Sequence, residues 1–352
     1  METITIVDTS ISTDNTGDEI IMESVNEIIS EIFSDSYIFR VSSHDALSER
    51  TRSFIRKSSW CFIGGTNLLS SDFKPWSLWK LDALAANALG SSRTICLGTG
   101  WNDYMLPPNE DSQKLLRTAL SNKYIHAARD RYTQSHLESL GLASVFTSCP
   151  TTWALTPSVC SKIPARKSGT AIITLSAWRA EVELDRNWIN IVKKSYDKVV
   201  FFSQMQEDFE YLQSIGFTDI PVVAATVQAY DRYLESNVVD FIGTRLHGGI
   251  RALQKGRRAV ILSIDNRAAE MGKDTGLPVL PRADCMALSK WIGESSTVKL
   301  DLPYEAIERW KNQFTLSARQ NLEPLYPLPE VIPPPPLMKR LKPALKMLIG
   351  RT

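Results

Sequence analysis

The chain has 352 residues, 43% hydrophobic and 22% charged, which excludes a disordered polymer and favours two domains of ordinary size over one. Forty Lys and Arg against thirty-nine Asp and Glu leave a formal net charge of +1. No global field draws such a molecule onto nucleic acid, so any anion site has to be local. The five cysteines, Cys61, Cys96, Cys149, Cys160 and Cys285, are scattered; their spacing offers neither a disulfide framework nor a zinc set, and no metal is expected. Met1-Glu2-Thr3 lacks the basic stretch of a secretory signal, and no apolar run approaches the ~18 residues of a membrane helix. The expected compartment is the cytoplasm.

In chain order, short β-branched runs end in glycine or small polar residues and lead into helix-period stretches, the pattern of strand, turn and crossover helix. The first half predicts strands at Thr3 to Thr9, Ser36 to Val41, Trp60 to Ile63, Arg93 to Leu97, Tyr124 to Ala127 and Ala143 to Thr147. Between them, helices are predicted at Glu19 to Phe33, Pro75 to Leu89 and Arg131 to Leu140, the last closed by Gly141. Periodicity lapses around 156–169, read as an interdomain linker. Strands then recur at Ala171 to Leu175, Lys198 to Phe202, Val222 to Thr226, Val238 to Ile242, Ala259 to Ser263 and Pro278 to Leu280. Helices at Arg186 to Tyr196, Gln206 to Ile215, Asp231 to Ser236, Gly249 to Lys255 and Cys285 to Ile292 fill the gaps.

Sequential βα units make parallel sheets. The expected architecture is α/β: two Rossmann-like, doubly wound domains, 1–155 and 170–303, facing a cleft. A C-terminal helix follows over 304–322. Residues 323–352 form a proline-rich, basic tail with Pro333 to Pro336 and no acid after Leu337. Two readings of the tail stay open, one disordered or docked on the core, the other a weak contact with an anionic membrane surface, against which Pro343 argues.

The most informative segment is Val239-Asp240-Phe241-Ile242-Gly243-Thr244-Arg245-Leu246-His247-Gly248-Gly249. It reads as a buried strand, a polar turn, and a helix opened by two glycines, whose free N–H groups and dipole suit an anion. Arg245 brings a planar fork for phosphate or carboxylate, and His247 a side chain able to exchange a proton near neutrality. The competing reading pairs Arg245 with a structural carboxylate and makes His247 a cap. His44, in Ser42-Ser43-His44-Asp45, reads as part of a helix start, and His126 and His136 as structural.

Near the amino terminus, Asn15-Thr16-Gly17-Asp18 follows the first strand, where Asp18 either caps a helix or holds a sugar hydroxyl. Gly64-Gly65-Thr66 and Gly98-Thr99-Gly100-Trp101 are similar junctions that match neither a Walker lysine pattern nor a complete GxGxxG. Arg129 and Arg179 each follow a strand and could reach a ligand anion or pair with neighbouring acids. Trp101, Trp153 and Trp178 lie where an indole stacks on a sugar or closes a cleft.

In this order, Asn15-Thr16-Gly17-Asp18-Glu19, Gly64-Gly65-Thr66, Arg129-Asp130, Gln204 with Asp208, and Arg245-Leu246-His247 followed by a helix and Gly256 resemble the polysaccharide pyruvyl transferase family. The resemblance spans Ile4 to Ile264. Where the family commonly has a lysine beyond the next strand, this chain has Asp265-Asn266-Arg267.

The resemblance implies a two-domain glycosyltransferase-B-type fold and transfer of a pyruvyl group from phosphoenolpyruvate to a sugar of a surface polysaccharide or its lipid-linked oligosaccharide precursor, as a cyclic ketal. Phosphoenolpyruvate is then a co-substrate, with no further cofactor. On this view Arg245, Leu246 and the Gly248-Gly249 amides hold the donor, with Arg179 and Arg129 near its other anionic end. His247, kept protonated by the bound anion, is the general acid. Asn15, Gly17, Asp18, Gly64, Gly65, Thr66 and Trp101 line the acceptor side, with Asp18 a candidate base. A nucleotide-sugar glycosyltransferase of the same fold and a non-catalytic carbohydrate-binding protein are the alternatives.

Overall fold

The computed structural model describes residues 1–74, 77–90 and 93–315. The first sheet contains β1 (Thr3–Asp8), β2 (Tyr37–Ser42), β3 (Trp60–Gly64), β4 (Arg93–Thr99), β5 (His126–Ala128) and β6 (Ser144–Phe146), in the order β2-β1-β3-β4-β5-β6. The second contains β7 (Thr170–Thr174), β8 (Lys198–Phe202), β9 (Val222–Val223), β10 (Val239–Gly243), β11 (Ala259–Ser263) and β12 (Val279–Pro281), in the order β12-β11-β10-β7-β8-β9. Every pairing is parallel. Helices cover both faces, which is why β3 and β10 are buried at every residue and read as unbroken apolar runs.

The strand orders locate the chemistry. The winding direction reverses between β1 and β3 in the first sheet and between β7 and β10 in the second. Beyond the carboxyl ends of strands at such reversals, flanking loops part and leave a crevice. The loops after β1 and β3 carry Asn15 and Thr66, the helix Thr16–Ile32 that follows the first loop carries Asp18 in its first turn, and the turn after β10 carries Arg245.

The two domains meet at a joint centred on Gln204. Its carbonyl accepts from Thr16 N at 3.1 Å, satisfying an otherwise orphaned N–H at the start of the helix Thr16–Ile32. Its side chain lies between two glycines of opposite domains. A Cβ on Gly17 would stand 2.7 Å from Gln204 Nε2, and one on Gly248 would stand 2.6 Å from Gln204 Oε1. Arg251 of the second domain also pairs with Glu23 of the first at 2.8 Å.

The helix Tyr304–Asn312 returns to the first domain. Trp310 is fully buried there, the Phe314 ring lies 5.3 Å from Trp60, and Gln313 brackets the Ile125 backbone N and O at 2.8 and 2.9 Å. This aromatic plug closes the core beside β3. The rest of the expected 304–322 helix beyond Thr315, and the whole basic tail, lie outside the described residues. No helix among the described residues is long and apolar enough to cross a membrane.

Several elements differ from the sequence reading. Helices at Glu49–Lys57, Glu110–Ala119 and Asn266–Thr275 were not expected. Each is opened by a side-chain cap, Ser48, Asn109 and Asp265 respectively. The 156–169 segment contains a short helix, Pro157–Cys160, and the strand expected over Val222 to Thr226 is only Val222–Val223. The helix expected to open at Gly249 starts at Leu246. That shift places His247, Gly248 and Gly249 inside its first turns.

Candidate functional site

A cleft of about 540 Å³ opens between the domains. Asn15, Asp18, His44, Thr66, Asn67 and Lys80 line it from the first domain, and Trp178, Met205, Arg245 and Arg267 from the second.

Arg245 is the residue before the helix Leu246–Gln254, at the end of β10. Its Nε and Nη2 form a bidentate pair with Asp208 at 2.8 and 2.5 Å, and Nε also donates to the Leu175 carbonyl at 3.1 Å. Burial pushes the Asp208 carboxyl up, against the opposing pull of Arg245. Nη1 alone has no protein partner among the described residues. The two readings of Arg245 therefore coexist, because the fork is braced by a structural carboxylate while the side chain lines the cleft.

Asp18 sits in the first turn of Thr16–Ile32 and accepts from Thr13 Oγ1 at 2.9 Å. Burial raises its pKa to about 6, although the Thr13 hydroxyl and the charges of His44, Arg267 and Arg245 all pull it down. The cap of this helix is Asn15, whose Oδ1 accepts from Gly17 N at 3.0 Å. Capping is thus assigned elsewhere, and Asp18 is a carboxyl poised near neutrality in a cleft wall.

Arg267 is the largest addition to the sequence reading. It lies at the start of Asn266–Thr275, capped by Asp265, and pairs with that carboxylate at 2.9 and 2.6 Å. Burial opposes ionisation of Asp265, but Arg267 holds its carboxyl below the usual range. The guanidinium lies 5.5 Å from the Trp178 ring, and both residues line the cleft.

His247 sits in the first turn of Leu246–Gln254. It is buried and does not line the cleft; Cys149 Sγ lies 3.7 Å from its Nε2. Burial pushes its pKa down to about 3, helped by Arg267 and Arg129 and resisted by Asp265.

Other expected contacts are also redirected. Leu246 belongs to the hydrophobic core, the Gly249 amide is bonded to the Arg245 carbonyl at 3.2 Å, and Gly248 is a packing site for Gln204. Arg129 is fully buried, paired with Asp130 at 2.8 Å and donating to Asn67 Oδ1, with Gly100 leaving room for its guanidinium. Arg179 reaches Asp103 across the rim at 2.7 Å and stacks beside Trp178. Trp101 is fully buried, stacked on His136 at 4.4 Å and donating to Ser71 Oγ at 3.0 Å. Gly17, Gly64 and Gly65 leave room for Gln204, Met22 and Ile21 rather than lining the cleft. Among the described residues, no group of three or more His, Cys, Asp or Glu could hold a metal ion.

The sequence matches the polysaccharide pyruvyl transferase family over residues 15–266. The chain belongs to that family. It is therefore a transferase of polysaccharide biosynthesis. Among solved structures, its fold is similar to that of S. aureus MnaA in a co-structure with UDP, at 12% identity and a TM-score of 0.57, covering 91% of this chain and 98% of that one. A Thermobaculum terrenum O-GlcNAc transferase aligns at 13% identity and a TM-score of 0.45, over 90% of this chain and 64% of that one. No curated protein sequence matches significantly. The architecture is glycosyltransferase-B-like, with two parallel-sheet domains and the family segment spanning both walls of the cleft.

Within the family segment, Asn15, Asp18, Thr66 and Arg245 come together at the cleft. His44 and Arg267 were missed as cleft residues. His44 follows the carboxyl end of β2, and Arg267 follows an Asp cap after β11. The signal for both was their place just past a strand, the position from which an open parallel sheet presents ligand contacts.

Proposed function

We propose that this protein transfers the pyruvyl group of phosphoenolpyruvate to two hydroxyls of a sugar in a surface polysaccharide or its precursor, forming a cyclic ketal and releasing phosphate. The observation carrying this reading is that a carboxyl raised to about 6, Asp18, faces the same cleft as two guanidinium groups, Arg245 and Arg267. The donor has a phosphate and a carboxylate, so two cationic anchors suit it, and arginine matches both anions geometrically. Arg267 takes the second-anchor role that the sequence reading gave to Arg179.

The chemistry needs a proton delivered to the methylene carbon of the donor. Asp18 is suited to deliver it. A bound polyanion raises its pKa further, so the carboxyl carries a proton at neutral pH and can release it as positive charge develops on the central carbon. A sugar hydroxyl then adds to that carbon. Phosphate leaves with its bridging oxygen, and a second hydroxyl closes the ring. The Arg245 and Arg267 charges favour departure of phosphate, and the indole of Trp178 offers a face for the sugar.

The test is phosphate release from phosphoenolpyruvate in the presence of sugars having two suitably spaced free hydroxyls. Release only with a competent diol, together with a product heavier by one pyruvic acid less water, is the expected result. Absence of release with every diol, combined with thermal protection by nucleotide sugars alone, would replace this reading with nucleotide-sugar transfer.

A further inference from the structure

The transfer just described needs a proton acceptor on the sugar side as well as a donor on the enolate side, and Asp18 supplies only one of them. A second titratable side chain, His44, lines the same cleft as Asp18. Asp18 interacts with His44 of its own domain and with Arg267 and Arg245 of the other. Asp18 and His44 line the cleft from the first domain, and Arg245 and Arg267 line it from the second.

His44 is held there by three contacts. Its backbone N donates to Ser42 Oγ at 3.1 Å, and the carbonyl of the preceding Ser43 accepts from Lys80 N at 3.0 Å. Its ring Nδ1 lies 3.2 Å from the Leu78 carbonyl oxygen. A carbonyl can only accept, so Nδ1 carries the hydrogen, and in the neutral ring Nε2 keeps its lone pair. No protein group among the described residues bonds to Nε2. The side chain is half-buried and lines the cleft with Asp18, Asn67 and Lys80.

We infer that His44 is the catalytic base that activates the acceptor hydroxyl. The inference rests on the pyruvyl-transfer reading and deepens it. In the addition step, Nε2 takes the hydroxyl proton as the sugar oxygen bonds to the central carbon of the donor. The pair of electrons freed from the double bond takes the Asp18 proton at the methylene carbon. When the carbon–oxygen bond to phosphate breaks, phosphate leaves with that electron pair and accepts the proton held by the imidazolium. The second hydroxyl then closes the ring on the central carbon and gives its proton to the Asp18 carboxylate, which restores the acid; protons balance, and no outside oxidant or reductant is required. The Leu78 carbonyl fixes the tautomer, as a carbonyl or carboxylate partner does for other catalytic imidazoles.

Variants His44→Ala and His44→Asn test this, assayed by phosphate release with a competent diol and by calorimetric titration with phosphoenolpyruvate. His44→Asn keeps a donor toward the Leu78 carbonyl and so preserves the wall. Both variants are expected to lose at least ~100-fold in kcat, the low end for lost acid–base help, with donor affinity within about twofold of wild type. Added imidazole should restore turnover to His44→Ala in proportion to its concentration, a response that a positioning role would not give. Turnover within threefold of wild type in His44→Asn, or a loss in His44→Ala that no concentration of imidazole relieves, overturns the assignment. A wild-type protein that releases no phosphate with any diol defeats the transfer reading itself, which is a separable outcome.

Discussion

Replacing Asp18 by Asn is expected to abolish turnover while making the protein more stable above pH 6. The two effects share one cause. Burial raises the Asp18 carboxyl from 3.8 to about 6. A folded-state value above the unfolded one means that the native state holds the proton more tightly, so stability falls as pH rises between about 4 and 6. The penalty is complete above that window, absent below it, and amounts to about 3 kcal/mol for a shift of this size. Asparagine keeps an oxygen for the Thr13 hydroxyl but carries no charge. Denaturant unfolding should therefore show a gain of up to ~3 kcal/mol at pH 8 and no gain at pH 3.5. Loss of the proton donor should cut kcat at least ~100-fold. Full activity in Asp18→Asn, or equal stability at both pH values, would remove Asp18 from the chemistry.

The second large effect concerns Arg245. Truncation to Ala would strand the Asp208 carboxylate in the interior, and losing one partner of a buried pair costs about 3–5 kcal/mol. That variant alone could not separate folding from binding. Replacing both partners, Arg245→Met with Asp208→Asn, removes the two buried charges together while an amide oxygen remains for the Ala177 or Met205 N–H, which donate to Asp208 at 3.0 and 3.2 Å, and should return stability to within ~2 kcal/mol of wild type. Donor binding should not return with it. Arg245→Lys keeps the charge but cannot brace against Asp208 through Nε and Nη2 while presenting Nη1 to the cleft. A loss of at least ~10-fold in phosphoenolpyruvate affinity is expected for Lys. Recovery of both stability and donor affinity in the double variant would make Arg245 purely structural.

Much of the architecture was legible because parallel sheets covered on both faces write their strands as apolar runs. β3, β7, β8, β10 and β11 all stand out in this way. The three missed helices are short and polar, and their signal lies in single caps at Ser48, Asn109 and Asp265. Missing the last of these concealed Arg267. The Arg245 turn was legible as an anion site because arginine, a strand end and a helix start coincide there. The burial of His247 was not, since a proton-exchanging side chain beside that turn reads as facing a ligand. The helix starts at Leu246, and the His247 imidazole in its first turn lies with Nε2 3.7 Å from Cys149 Sγ. Glycines at 17, 64, 65 and 248 were read as ligand-facing, yet each clears a neighbouring side chain. A glycine permits close approach without revealing whether a ligand or the protein does the approaching.

The central claim is that Arg245 and Arg267 together grip a small molecule with two anionic ends. Calorimetric titration of phosphoenolpyruvate into the wild-type protein and Arg267→Gln tests it most directly. The account predicts saturable, salt-sensitive binding to the wild type and at least ~10-fold weaker binding to the folded variant, since a charged hydrogen-bonding anchor is lost. No binding to the wild type, or equal affinity in Arg267→Gln, would contradict it.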